Sequence, residues 1–181
     1  NPPQQLKIPR AFIGDRESLA FFDQMRTILN QLYERTGGTN DSRSDGILYI
    51  QGNSVATTIV SANTPVLAAG VWTTGPLGQF TGTTGGRLTY IGVKDARLPI
   101  TISVSVAPTL SADIAMSVYI AINGVIVAGS RGRGTGSVGL PDSITIPWQH
   151  TFATNDFLEV FVENNTNATD ILLSSGIERV N

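Results

Sequence analysis

MSVYIAINGVIVAGS, residues 116–130, is the stretch on which the fold turns. Met116, Val118, Ile120 and Ile122 fall on one side of an alternating pattern, leaving Tyr119 on the other. A period of two is the mark of a strand with one buried face. Asn123-Gly124 follows, and Asn-Gly between apolar runs is the strongest short signal for a tight hairpin. VIVAGS (125–130) then reads as the returning strand.

Outward from this hairpin the same pattern repeats. ITISVSV (100–106) alternates strictly, and ILYIQ (47–51), VATTIV (55–60), VLAAGVW (66–72) and RLTYIG (87–92) are further candidates. SITIPWQHTF (143–152), FLEVFVEN (157–164) and DILLSSGIERV (170–180) complete the set. TGTTGG, GRGTGSVGLPD, ATND and NNTNAT read as the turns between them. Eight to ten short strands with no helix among them predict an antiparallel sandwich.

Ahead of this region the chemistry changes. Residues 1–46 carry six basic and six acidic side chains, against six and eight in the 135 residues that follow. Pro2, Pro3 and Pro9 keep residues 1–14 extended, a candidate anchoring arm with Pro3, Lys7, Pro9 and Arg10 as its contacts. Residues 15–36 read as an amphipathic helix, with Asp15 as N-cap and Gly37 or Gly38 at its end. Phe22, Met25, Leu29 and Leu32 form one stripe, widened by Phe21 and Ile28. Under two heptads is too short for a self-sufficient coiled coil, so the stripe is expected to be completed in a stem of three copies, with docking on another protein or folding back onto the β region as the alternatives. A linker, 37–46, joins the helix to the β region, 47–181. Its TNDSRSDG segment has a calcium loop's composition in the wrong register.

Several functions are disfavoured at this level. A net charge of −2 gives no basic patch for nucleic acid, and the absence of cysteine removes disulfides and thiolate metal sites. No apolar run has the length of a membrane helix, and the first residues lack the apolar core of a signal peptide, so a soluble chain is expected. His150 is the single histidine, without a second imidazole to share a metal. Gly134, Gly136 and Gly139 match G-x-G-x-x-G, but a strand follows where a dinucleotide site needs a helix. GSRGRGTGSVG (129–139) is therefore expected to be a long flexible turn, with Arg131 and Arg133 available to an acidic partner. No motif places a nucleophile or a pair of carboxylates; the expectation is a protein that is not an enzyme and needs no cofactor.

The outward faces of two strands add a candidate contact. With Leu158, Val160 and Val162 turned inward, Phe157 and Phe161 lie outside with Glu159 and Glu163, as does Tyr119 on its own strand. Tyr119, Phe157 and Phe161 are a possible subunit interface of the β region, or are covered by a neighbouring loop.

FTGTTGGRLTYIGV (80–93), SVYIAINGVIVAGS (117–130), TFATNDFLEVFVEN (151–164) and LSSGIERV (173–180) together resemble the C1q/TNF-like jelly roll. Asn155-Asp156 stands where that family usually has Gly-Asp. The likeness covers about 130 residues and implies a homotrimer. IPRAFIGDRESLAFFDQMRTILNQLYERTGG (8–38), with the arm, helix and hinge layout, is similar to small virion proteins of tailed bacteriophages. That resemblance implies a capsid decoration or head fibre in the virion, held to capsid or tail proteins through residues 1–36. The alternative is a fibre tip that binds a surface glycan through loops 79–86, 131–142 and 164–170. Trp148 and Tyr90 would offer sugar-stacking faces there, although core roles suit both better.

Overall fold

The computed structural model describes residues 21, 23–29, 44–110 and 113–181. Phe22, Leu32, Pro3, Lys7, Pro9 and Arg10, named above for the stem and arm, lie outside the described residues, as does most of the linker. The chain divides into two units, residues 1–42 and 43–181. In the first, residue 21 and residues 23–29 are helical. Thr27 donates from Oγ1 to the Asp23 carbonyl at 2.9 Å, and Arg26 pairs with Asp23 at 3.1 Å.

The second unit is built from thirteen strands. They are β1 (Gly46–Gln51), β2 (Ala56–Thr57), β3 (Val66–Leu67), β4 (Thr73–Leu77), β5 (Phe80–Gly82), β6 (Arg87–Tyr90) and β7 (Ala96–Pro108), then β8 (Ile114–Ile122), β9 (Val125–Ile126), β10 (Gly132–Gly136), β11 (Asp142–Phe152), β12 (Phe157–Asn164) and β13 (Ile171–Val180). Two antiparallel sheets result. The front sheet runs β11-β7-β13-β1-β4 with β2 beside β13. The back sheet runs β10-β8-β12-β6-β5, with β3 on β12 and β9 on β8. The chain crosses between sheets at β2–β3, β3–β4, β4–β5, β6–β7, β7–β8, β10–β11, β11–β12 and β12–β13. This interleaving of a six-stranded and a seven-stranded layer is the jelly roll.

Alternation positions the core as the sequence predicts. Ile100, Ile102, Val104 and Val106 of β7 face Met116, Val118, Ile120 and Ile122 of β8 and Leu158, Val160 and Val162 of β12 in one buried cluster. Phe80, Tyr90 and Phe152 close one end, their ring centroids 5.2 to 6.0 Å apart. Tyr90 is 1% exposed, its hydroxyl donating to the Lys94 carbonyl at 2.7 Å, so it offers no stacking face to a sugar.

Three expectations are corrected. The flexible turn at 129–139 is largely strand: β10 pairs with β8 along five residues. Its Gly-x-Gly-x-Gly alternation turns bare backbone inward, where a Cβ on Gly132 would lie 2.4 Å from Ile144 and one on Gly134 2.4 Å from Asp142. The glycines let the edge of one sheet press against the side chains of the other. VIVAGS supplies only the two residues of β9 before a 3-10 turn at Ala128–Ser130. There Ser130 Oγ accepts the Ile120 N–H at 2.9 Å, replacing a ladder bond. VATTIV and VLAAGVW shrink to the two-residue β2 and β3, because side chains take over their backbone partners. Asp170 accepts the Ile59 N–H at 2.9 Å, and Thr57 Oγ1 accepts the Ala69 N–H at 2.8 Å.

Candidate functional site

The two outer faces of the sandwich differ in chemistry. On the back sheet, Tyr119 and Phe161 are register partners, and Phe157 lies four residues along the same strand. The structure thus brings the three predicted aromatics onto one face. Tyr119 is only 8% exposed; its hydroxyl donates to Glu163. Burial pushes the Tyr119 phenol above its usual range, and the adjacent Glu163 carboxylate pushes it further. Phe157 and Phe161 are half-buried, and the Arg87 guanidinium stacks 3.9 Å from the Phe157 centroid.

The carboxylates of this face are latched by arginines. Glu159 accepts Arg87 Nε at 2.9 Å and Nη2 at 2.8 Å, and Glu163 lies 3.5 Å from Arg131 Nη2. Both glutamates are buried and both cations lie over them. Glu178 is the exception. It stands between Leu48 and Ile102 in the front sheet and points into the sandwich, fully buried, with neither carboxyl oxygen hydrogen-bonded. Burial drives its pKa well above the ordinary value, and the Glu159 charge adds to the rise.

The central part of the front sheet's outer face is polar and poor in charge. Across β1, β13, β7 and β11 the aligned rows are Ile47-Arg179-Thr101-Pro147, Tyr49-Ile177-Ser103-Thr145 and Gln51-Ser175-Ser105-Ser143. Ser103 and Thr145 share a hydroxyl hydrogen bond of 2.9 Å. Tyr49 and Ile177 sit side by side, 40% and 38% exposed. The cation in these three rows, Arg179, donates to Asn181 at 2.7 Å. Short hydroxyl side chains lose little entropy on being covered. None of these residues was singled out from sequence, although the outward Thr101, Ser103 and Ser105 of ITISVSV carried the signal.

Elsewhere lies the single histidine. His150 packs edge-on against Phe152 with centroids 4.9 Å apart, its Nε2 3.9 Å from Asp156. Burial alone would raise the Asp156 carboxyl, but hydrogen bonds from Asn123 and the Ala153 N–H outweigh it and hold its pKa below 3.8. Trp148 is half-buried against the core, over Gly129. Among the described residues no three His, Cys, Asp or Glu side chains gather to hold a metal, and no helix is long and apolar enough to cross a membrane. In the helix, Met25 and Leu29 of the predicted stripe are 38% and 44% exposed, with Phe21 at 57% and Ile28 at 50%.

No protein-family model matches the chain, and neither does any curated protein sequence. Among solved structures it is similar to murine APRIL, at 10% identity over 75% of this chain and 98% of that one, with a TM-score of 0.46. The globular domain of zebrafish complement 1qA protein is similar at 9% identity, over 76% and 95%, with a TM-score of 0.45. The vertex protein P5 of PRD1 is similar at 15% identity, over 75% and 93%, with a TM-score of 0.47.

Proposed function

We propose that this chain is a non-enzymatic structural protein of a bacteriophage particle. In this reading it is a homotrimer that attaches to capsid or tail proteins through residues 1–36 and carries its jelly roll outward as a decoration or short head fibre. The observation that carries the reading is the front sheet's outer face, with Tyr49 and Ile177 at its centre and one charged side chain in its three rows. Interface centres are depleted in charge and enriched in aromatic residues. The threefold order and the particle come from the sequence resemblances.

Area supports a shared task for the two units. Four strands and three rows cover roughly 400 Å² once side chains are included. A stable interface buries about 800 Å² per partner. The exposed Met25, Ile28 and Leu29 of the helix supply further apolar area, and chains already joined at one surface hold the second at high effective concentration.

Light scattering of the full chain tests the assembly. The wild-type mass should be three times the 19.2 kDa of one chain. Ile177→Arg, at a site already exposed to solvent, should give monomers with an unchanged far-ultraviolet spectrum. A monomeric wild type, or a variant that still forms trimers, overturns the proposal.

A further inference from the structure

A concavity of about 500 Å³ opens on the outer side of the back sheet, over β8 and β10, where the loop after β2 meets the loop after β12. Its polar lining is Arg131, Arg133, Thr135, Asn63 and Asn165, with Ala115 and the buried Met116 beneath. The volume lies in the range of small-molecule sites. We infer that this is a binding site for an acidic saccharide, a sugar ring bearing a carboxylate. The inference goes beyond the assembly proposed above and does not depend on it.

The two arginines divide the electrostatic work. Arg131 is committed: its Nε donates to Ser117 Oγ at 2.9 Å and its Nη2 faces Glu163 at 3.5 Å, which fixes the guanidinium at the rim. Arg133 projects from β10 opposite Ser117, is exposed, and makes no hydrogen bond or ion pair within the β unit. Of the neighbouring acids, Glu163 is tied to a cation, and Asp142 and Asp113 are turned to other partners. Glu163 is shared by Arg131 and Tyr119, while Asp142 accepts the Thr135 N–H at 2.9 Å and the Ser143 N–H at 2.8 Å. The concavity therefore keeps one guanidinium, that of Arg133, with its donors uncommitted among the described residues, and its planar fork suits a carboxylate.

The remaining groups match a sugar's hydroxyls. Asn165 Nδ2 donates to Asn63 Oδ1 at 3.3 Å, which aligns two carboxamides side by side at the rim. Asn165 Oδ1 accepts Ser117 Oγ at 2.6 Å and Asn63 Oδ1 accepts Asn165, so the pair presents its remaining carboxamide N–H donors to a sugar's hydroxyls. Asn63 is held in place by its own backbone: its φ is 59°, and its N–H donates to the Asn164 carbonyl at 2.8 Å. Ala115, turned outward beside the inward Met116, offers apolar contact to a ring's C–H face. An acidic peptide is the weaker fit, because these donors converge on one short hollow instead of running along an open strand edge.

The test is titration of the full chain, by calorimetry, with a glucuronate-terminated trisaccharide. The parallel arms are the same trisaccharide ending in glucose, and a short polyglutamate peptide of matched concentration. The acidic sugar should bind saturably, and the neutral one about tenfold or more weakly, the loss expected for a charge-assisted hydrogen bond. Arg133→Gln, a change at an exposed side chain, should reduce acidic binding to the neutral level, and Arg133→Lys should restore part of it. No saturable binding of the acidic sugar, unaltered binding by Arg133→Gln, or equal binding of the polyglutamate peptide would each overturn the inference.

Discussion

Glu178 shows what one residue adds to the energetics of the sandwich. Its carboxyl has no hydrogen-bond partner and Leu48 and Ile102 as neighbours across the ladders, so burial raises its folded pKa well above the ordinary value. A carboxyl with a raised folded pKa binds its proton where the unfolded chain has already released it. Stability is then greatest below the ordinary value of 4.5 and falls as pH climbs toward the folded value. Asp156 has the opposite sign: its contribution is present above 3.8 and is lost as pH drops through its lower folded value. Replacing Glu178 by Leu should raise stability at pH 7 by about 1–3 kcal/mol, the cost of burying an unbonded polar group. Denaturant titrations across pH should show the decline above pH 4.5 flattened in the variant. An unchanged slope would mean that the side chain ionises in the fold. Nothing in ILLSSGIERV marks this glutamate as buried. The alternation on β13 is interrupted by a bulge between Leu173 and Ser175, so parity read from one end does not carry to the other.

At the scale of elements, β10 separates two kinds of glycine. Gly139 has φ of 75° with open space around its Cβ position, the ordinary requirement of a turn. Gly132, Gly134 and Gly136 are there for close approach across the sandwich. Gly134→Val should cost about 1–3 kcal/mol through overpacking against Asp142 and Ile144. The outward Thr135→Val should stay within about 0.5 kcal/mol of wild type. Equal effects on the thermal midpoint would refute this packing account. Strands with strong alternation were legible: β12 spans the FLEVFVEN candidate, and β7, β8 and β11 contain theirs. β4 and β5, TTGPL and FTG, were missed because their Gly and Pro residues speak for turns, although β5 pairs with the adjacent β6 and β4 with β1. Gly75 is needed there because a Cβ would crowd Ile47 at 3.2 Å.

The whole molecule combines a β unit with a complete core and a helix whose described apolar side chains are exposed. A sandwich that fills its own interior does not need residues 1–42 to fold. The shortened chain, residues 43–181, should keep the unfolding midpoint of the full chain's β unit and fail to join particles that the full chain enters. Incorporation of the shortened chain would place the attachment on the jelly roll instead. The sequence by itself determined the fold class, the inward set of β7, β8 and β12, and the hairpin at Asn123-Gly124, because period-two alternation and turn chemistry are local. The same alternation put Tyr119, Phe157 and Phe161 on a common outer face. Only the tertiary structure decided that Arg87 and Arg131 cover that face, that Glu178 is sealed inside, and that the hydroxyl-rich front sheet is the one left open. A strand's pattern says which residues share a side, while what lies opposite that side is set by pairings a hundred residues away.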